Sequence, residues 1–327
     1  MDIISVKNLK KYYQVYRKEP GLKGSIKSLF KRKYEDVKAV NGISFTIEEG
    51  ELIGFIGPNG AGKTTTLKCF SGLLYPDAGK IDVLGFDPWD RKHEFLKQIS
   101  LVMGQKNQLW WDLPALETFI LNKEIYEIPD EKYKQVLNDL VDLLQVKDVL
   151  KVQVRKLSLG QRMKCELIAA LLHSPKVLFL DEPTIGLDVV MQKKMRDFIK
   201  SYNQKYKATV ILTSHYMDDV QELCKRVIII NKGKIVFDDN LSEIVKKYAD
   251  HKVIKVVFSK EVDAKKLAKI GKVKEYNFPE AVLMVKRGIS NVAAAELLKN
   301  FPVADLNIEE PSIEDIIREL FTGQDFA

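Results

Sequence analysis

Apolar and polar residues alternate along this chain in several distinct rhythms, and their order predicts its architecture. Ile3, Ile4, Val6 and Leu9 predict a short strand over 3–9, and Ile43, Phe45 and Ile47 predict another, closed by Glu48-Glu49-Gly50. From Glu51 the pattern becomes strand, glycine-rich loop, helix. Later, the apolar runs Val177-Leu178-Phe179-Leu180 and Thr209-Val210-Ile211-Leu212 predict buried strands with helical stretches between them. That alternation implies an α/β fold with a largely parallel sheet. Between Pro114 and Val152 strand signals thin out, while Tyr133, Val136, Leu137, Leu140, Leu143 and Leu144 recur at helical spacing. A helical subdomain inserted over about 106–172 is expected.

Beyond Asn240 the texture changes. A strand (Val253 to Phe258), a helix (Val262 to Ile270), two strands around Phe278-Pro279-Glu280, a helix (Asn291 to Asn300) and a strand (Val303 to Ile308) precede Pro311 to Phe321. The order βαββαβ plus a terminal helix predicts a small ferredoxin-like α+β module. Ser312, three residues before Asp315, is placed to open that last helix. The expected domains are therefore 1–240 and 241–327. The second holds no cluster of His, Cys or paired acids, which favours a packing or dimerisation role.

Composition narrows the class. Of 327 residues 46% are hydrophobic and 30% charged, which excludes a disordered or fibrous chain. No uncharged apolar run approaches the roughly 18 residues of a membrane helix, and the start, Met1 to Lys7, lacks a secretory layout. Cys69, Cys165 and Cys224 are scattered, so neither a disulfide framework nor a zinc site is indicated, and a reducing cytoplasm is expected. The net charge is +7, yet residues 1–40 hold 11 Lys and Arg against 4 Asp and Glu, and the rest of the chain is balanced. A nucleic-acid binder would spread its basic surface over the folded body, so none is expected as a partner. The excess belongs to a basic insertion over about 17–38. There Leu22, Ile26, Leu29 and Phe30 recur at helical spacing among Lys23, Lys27, Lys31, Arg32 and Lys33. Such a helix either lies on anionic lipid or packs against its own domain.

Two motifs carry chemistry. The strand Leu52 to Ile56 runs into Gly57-Pro58-Asn59-Gly60-Ala61-Gly62-Lys63-Thr64-Thr65, a phosphate loop in its strand-to-helix setting. Its glycines let backbone N–H groups approach polyphosphate; Lys63 would reach the outer phosphates and Thr64 would ligate Mg²⁺. The strand Val177 to Leu180 ends in Asp181-Glu182, at the edge where α/β sheets bind ligands. Asp181 is placed to hold the metal and Glu182 to orient or deprotonate an attacking water.

Between these elements stands Leu157-Ser158-Leu159-Gly160-Gln161, and beyond the paired acids come Gly186-Leu187-Asp188 and then His215, after Thr213-Ser214. In this order the motifs over residues 1 to about 240 resemble the ATP-binding cassette family. The resemblance implies an ATPase acting as a head-to-tail dimer with ATP between one subunit's phosphate loop and the other's signature. By it, Ser158 and Gly160, with Gln161, would contact the partner's ATP. His215 would meet the γ-phosphate, Gln105 the metal and the attacking water, Asp188 the dimer seam, and Tyr13 would stack on adenine. Ser158 and Gln161 also form a capping-box pattern, and both roles can coexist. Leu159 departs from the usual glycine, and Gln108 and Tyr12 are neighbouring alternatives to Gln105 and Tyr13.

A cassette with no membrane helix resembles the energising subunit of a transporter, docked on the cytoplasmic face of a separate integral membrane permease. The C-terminal module resembles those of exporter subunits that handle drugs, lipids or envelope polymers. Trp110 and Trp111 fall in the family's permease-docking region, or else pack in the core. The other class consistent with the motifs is a soluble cassette ATPase that assists cofactor assembly with a cytosolic partner.

Overall fold

The computed structural model describes residues 2–16, 34–104 and 107–322. Most of the basic segment, Arg17 to Lys33, and also Gln105 lie outside the described residues. The chain divides into two compact units between Asp238 and Asp239.

The first unit opens with β1 (Asp2–Tyr16) and β2 (Tyr34–Glu48), paired antiparallel. β3 (Leu52–Ile56) then runs through the phosphate loop into α1 (Lys63–Phe70). β4 (Ala78–Val83) joins β1 to complete a sheet of order β2-β1-β4. Next come α2 (His93–Leu96), β5 (Ile99–Met103) and the expected helices α3 (Ala115–Ile125), α4 (Asp130–Leu144) and α5 (Leu159–Leu171). The chain returns through β6 (Val177–Asp181), α6 (Val189–Tyr206), β7 (Thr209–Thr213), α7 (Met217–Leu223), β8 (Arg226–Asn231) and β9 (Lys234–Asn240). The central sheet has order β5-β6-β7-β3-β8-β9, and its pairs from β5 through β8 are parallel. All residues of β6 and β7 are buried, as continuous apolar runs demand of a strand covered on both faces.

Aromatic contacts fasten the two sheets together beneath the phosphate loop. Phe45 meets Phe55 at 6.0 Å and Phe70 at 5.9 Å, and Phe70 meets Phe179 at 6.1 Å between ring centroids. Burial of each ring contributes about 2–3 kcal/mol, so α1 is anchored by packing rather than by its own propensity.

Two features of this unit differ from the sequence reading. The strand expected over 3–9 extends to Tyr16, and Tyr34 to Lys38, assigned to the basic insertion, belong to β2. Tyr13 pairs with Val37 and Tyr16 with Tyr34, so cross-strand contacts hold this ribbon. Its outer part is largely solvated on both faces, which erases the inside/outside alternation that reveals a strand.

The second unit contains α8 (Leu241–Tyr248), β10 (His251–Phe258), α9 (Ala264–Leu267), β11 (Lys272–Asn277), β12 (Glu280–Lys286), α10 (Ser290–Asn300), β13 (Val303–Glu309) and α11 (Ile313–Thr322). Its antiparallel sheet has order β11-β12-β10-β13, the ferredoxin-like arrangement. The helix expected over Val262 to Ile270 contracts to α9. Asp263 caps it through Lys265 N at 2.9 Å, and Gly271 then passes so close to β12 that a Cβ would collide with Val285. Ser312 opens α11 as expected, its hydroxyl accepting from Asp315 N at 3.1 Å.

Candidate functional site

β3, β5, β6 and β7 are parallel, so their carboxyl ends face one edge of the sheet and bring the chemistry-bearing loops together. At the end of β3, Gly57 and Gly62 are squeezed between strands. A Cβ on Gly57 would collide with the Ile230 carbonyl oxygen, and one on Gly62 with that of Ala39. The loop is tied internally by Ala61 N to Pro58 O at 3.1 Å and externally by Gly233 N to Ala61 O at 3.0 Å. Asn59 and Gly60 face outward, and Pro58 and Thr65 are half-buried. α1 begins at Gly62 without a side-chain cap, which leaves its first-turn N–H groups for an anion.

Lys63 is 6% exposed. Its Nζ donates to Gly57 O at 2.7 Å and Pro58 O at 3.2 Å, folding the ammonium onto its own loop. Burial lowers its pKa, and the negative charges of Glu182 and Asp181 oppose that shift. Asp181 accepts from Thr64 Oγ1 at 2.8 Å and from Thr213 Oγ1 at 2.7 Å. The Thr213 hydroxyl also accepts from Glu182 N at 3.1 Å. Glu182 sits at φ +56°, turning its side chain off the end of β6, and its Oε1 lies 2.5 Å from His215 Nε2. Lys63, Thr64, Asp181, Glu182 and His215 therefore form one cluster.

Ser158, Gly160, Gln161 and Asp188 form a second. The capping box is present: Ser158 Oγ accepts from Gln161 N at 3.2 Å, and Gln161 Oε1 accepts from Ser158 N at 3.0 Å. Asp188 caps α6 by accepting from Met191 N at 2.9 Å. Met191 packs on Gly160, where a Cβ would sit 3.0 Å from its Cε. The turn Glu182 to Asp188 connects the two clusters.

Tyr13 stands apart on the β1–β2 ribbon, 38% exposed, with Lys11 over its ring at 5.7 Å. Tyr12, the alternative, is half-buried with its hydroxyl tied to Asn41 Oδ1 at 3.0 Å. Gln108, the alternative to Gln105, has its amide bound to Leu101 O at 2.8 Å. Trp110 and Trp111 are 58% and 47% exposed, which removes the core-packing reading.

Several residues escaped the sequence reading. Thr213 orients both acids; a hydroxyl ending an otherwise apolar strand was its signal. Glu166 is buried in α5 and accepts from Gln108 N at 2.9 Å and Leu109 N at 3.3 Å. Burial raises its pKa against those backbone bonds. The signal at Glu166 was a charge inside the apolar face of α5; Asp219, buried in the short and largely polar α7, gave none.

A phosphate loop, paired acids at the next parallel strand but one and a histidine at the strand between define a nucleotide-binding chain of the phosphate-loop hydrolase class. The sequence profile described as ABC transporter matches residues 40–185, and that described as EvrA-like ABC transporter, C-terminal domain, matches residues 250–309. The ABC transporter ATP-binding protein NatA of Bacillus subtilis (strain 168) is 35% identical over 215 residues, 66% of this chain and 87% of that protein. The Nod factor export ATP-binding protein I of Burkholderia orbicola is 34% identical over 203 residues, 62% of this chain and 66% of that one. A dimeric ATP-binding cassette structure in a post-hydrolysis state, bound to ADP and phosphate, has a TM-score of 0.59 at 22% identity. That match covers 72% of this chain and 98% of that one, and shares the fold. The chain belongs to the ATP-binding cassette family: it is an ABC transporter ATP-binding subunit and an ATPase.

Proposed function

We propose that the chain hydrolyses ATP as a head-to-tail pair with a second ATPase subunit, most simply its own copy, and so drives a membrane permease in the direction of export. The observation that carries this reading is the joining of Thr64 to Asp181 and of Glu182 to His215 beside the phosphate loop. The loop and the N-terminus of α1 would hold the β- and γ-phosphates, with Lys63 turning from the Gly57 and Pro58 carbonyls to phosphate oxygens. Glu182 would orient the attacking water and take its proton as the β–γ bridging bond breaks, and His215 would hold Glu182 and the γ-phosphate in register. Tyr13 would stack on adenine. Ser158, Gly160 and the N-terminus of α5 would meet the partner's γ-phosphate, with Asp188 at the seam.

Thr64 Oγ1 and Asp181 Oδ2, hard oxygen donors 2.8 Å apart, are a donor set suited to Mg²⁺. The ion, when bound, neutralises charge on the phosphate oxygens.

Peripheral attachment at the cytoplasmic face would come through the permease. Trp110, Trp111, Ile120 and Ile125 are exposed, and Ile125 also lines a cleft of about 480 Å³ with Leu73, Leu96, Leu101 and Tyr126. Aromatic and aliphatic side chains of this kind suit a docked helix. Export is favoured by the Nod factor relative.

Glu182→Gln protein, purified from its native cells with MgATP and gentle solubilisation, is expected to bind ATP, turn over slowly and carry a multi-helix membrane protein in stoichiometric amount. Rapid turnover by this variant would remove Glu182 from the chemistry. A soluble partner in place of a membrane protein would favour the cofactor-assembly reading.

A further inference from the structure

Glu182 and His215 reach each other from different strands, so something must hold their two turns in register. Asp219, in the first turn of α7, is fully buried. Its Oδ2 accepts from Thr184 Oγ1 at 2.5 Å and from Ser214 Oγ at 2.6 Å, while Oδ1 takes Arg196 Nη1 at 3.0 Å. Thr184 is two residues beyond Glu182, in a turn closed by Ile185 N to Glu182 O and Leu187 N to Thr184 O, both 3.2 Å. That turn continues into Asp188. Ser214 immediately precedes His215, and its hydroxyl accepts from Tyr216 N at 2.9 Å, so the histidine is bracketed by one fixed side chain. Thr184 and Ser214 are 1% and 5% exposed, so water does not compete for these bonds.

We propose that Asp219 is a positioning residue that locks the turn bearing Glu182 to the turn bearing His215, so that one buried carboxylate sets the geometry of hydrolysis. It rests on the reading of Glu182 and His215 as the hydrolysing pair. Arg196, from α6, supplies the cation that makes the buried charge affordable and fixes which carboxylate edge faces the turns. The same edge, Oδ2, serves both hydroxyls, so neither turn can shift without disturbing the other's bond. Glu222, also within 3.1 Å of Arg196, and Lys193, 2.8 Å from Glu222, extend the network outward on α7 and α6.

Removing Asp219 itself would leave Arg196 without its buried partner and could unfold the chain, so the test breaks the arms instead. Thr184→Val, Ser214→Ala and the double variant are made in the full chain, with Thr184→Ser as the conservative control. Turnover, KM, affinity for a fluorescent ATP analogue and melting temperature are measured, and the His215 Nε2 resonance is followed by long-range ¹H–¹⁵N NMR. Each single variant is expected to lower kcat by about tenfold, the scale of a misplacement below ~1 Å. KM and analogue affinity should stay within about twofold, the His215 Nε2 resonance should shift, and Thr184→Ser should retain turnover. The register needs both arms, so the double variant should lose little more than the worse single. Unchanged kcat in both singles with only a lower melting temperature would reduce Asp219 to a structural ion pair and overturn the proposal, as would losses that multiply in the double. Wild-type turnover beside an equally fast Glu182→Gln variant would instead overturn the reading of Glu182 beneath it.

Discussion

Replacing Gly62 by alanine should damage the phosphate loop in a way that Gly60→Ala does not. Both glycines hold positive φ, +110° at Gly62 and +79° at Gly60. Forcing an L-residue into the left-handed region costs about 1–2 kcal/mol. At Gly60 that is the whole cost, because nothing lies within 4 Å of the added Cβ. At Gly62 the Cβ also collides with the Ala39 carbonyl oxygen of β2, and backbone on both sides must move. Overpacking of this kind adds about 1–3 kcal/mol, for a total of about 2–5 kcal/mol. In a unit of this size each kcal/mol lowers the melting temperature by about 2–4 °C. Gly60→Ala should therefore cost about 2–8 °C and Gly62→Ala roughly twice as much, read from the transition of the first unit in scanning calorimetry. Only Gly62→Ala should also reposition Lys63 and thereby lose the stabilisation that MgATP confers on the native chain. Equal losses from the two substitutions would refute the argument that β2 clamps the loop.

Two further outcomes follow from buried groups. Lys63→Met leaves the Gly57 and Pro58 carbonyls and the Asp181 and Glu182 charges without their cation. It should abolish the MgATP-dependent rise in melting temperature while preserving the far-UV spectrum; an undiminished rise would contradict the role given to Lys63. His173 is buried with Nε2 bound to Ile99 O at 2.9 Å and its ring stacked on Tyr126 at 4.0 Å. Burial pushes its pKa down to about 4 from 6.5. The unfolded chain then binds the extra proton first as pH falls, so this contribution is present above pH 6.5 and is lost toward pH 4. The loss amounts to at most about 3 kcal/mol, and His173→Phe should flatten the acid limb of a urea-denaturation pH profile relative to the native chain.

The legible parts of the sequence were those in which one physical demand dominates. β6 and β7 are buried on both faces, so their residues are uniformly apolar, and the phosphate loop needs glycine where strands press on it. Ser158 and Gln161 announced their helix because capping is a local matter of three residues. The ribbon beyond Leu9 was illegible for the opposite reason: its outer residues are held by cross-strand partners and face solvent on both sides. Thr213 and Glu166 act through partners 31 to 58 positions away, and Asp219 joins Ser214 to Thr184, 35 positions away; a local signal marks Thr213 and Glu166 as residues but encodes none of these pairings. Tyr12 and Tyr13 differ through a contact that no local pattern encodes, the bond from the Tyr12 hydroxyl to Asn41, 29 positions away.

Leu159 shows how a departure from the family pattern can be absorbed by a neighbour. It is the first residue of α5, 38% exposed, and its Cδ2 lies 3.1 Å from the place a Cβ would take on Gly186. Gly186 holds φ +73° in the turn that follows the paired acids, so the leucine lies over a glycine that the turn already requires. Ser158 still caps the helix and Gly160 still receives Met191, and the polar face of the signature is unaltered. Leu159→Gly should therefore keep turnover near that of the native chain while losing about 1 kcal/mol through helix propensity and the lost contact. Gly186→Ala should cost more, because strain in the turn adds to crowding against the leucine. With Leu159→Gly in place the crowding vanishes and the strain remains. A double-mutant cycle should thus return a coupling of about 0.5–1 kcal/mol between the two positions. Strict additivity would mean that the leucine and the glycine do not meet, and the departure would need another explanation.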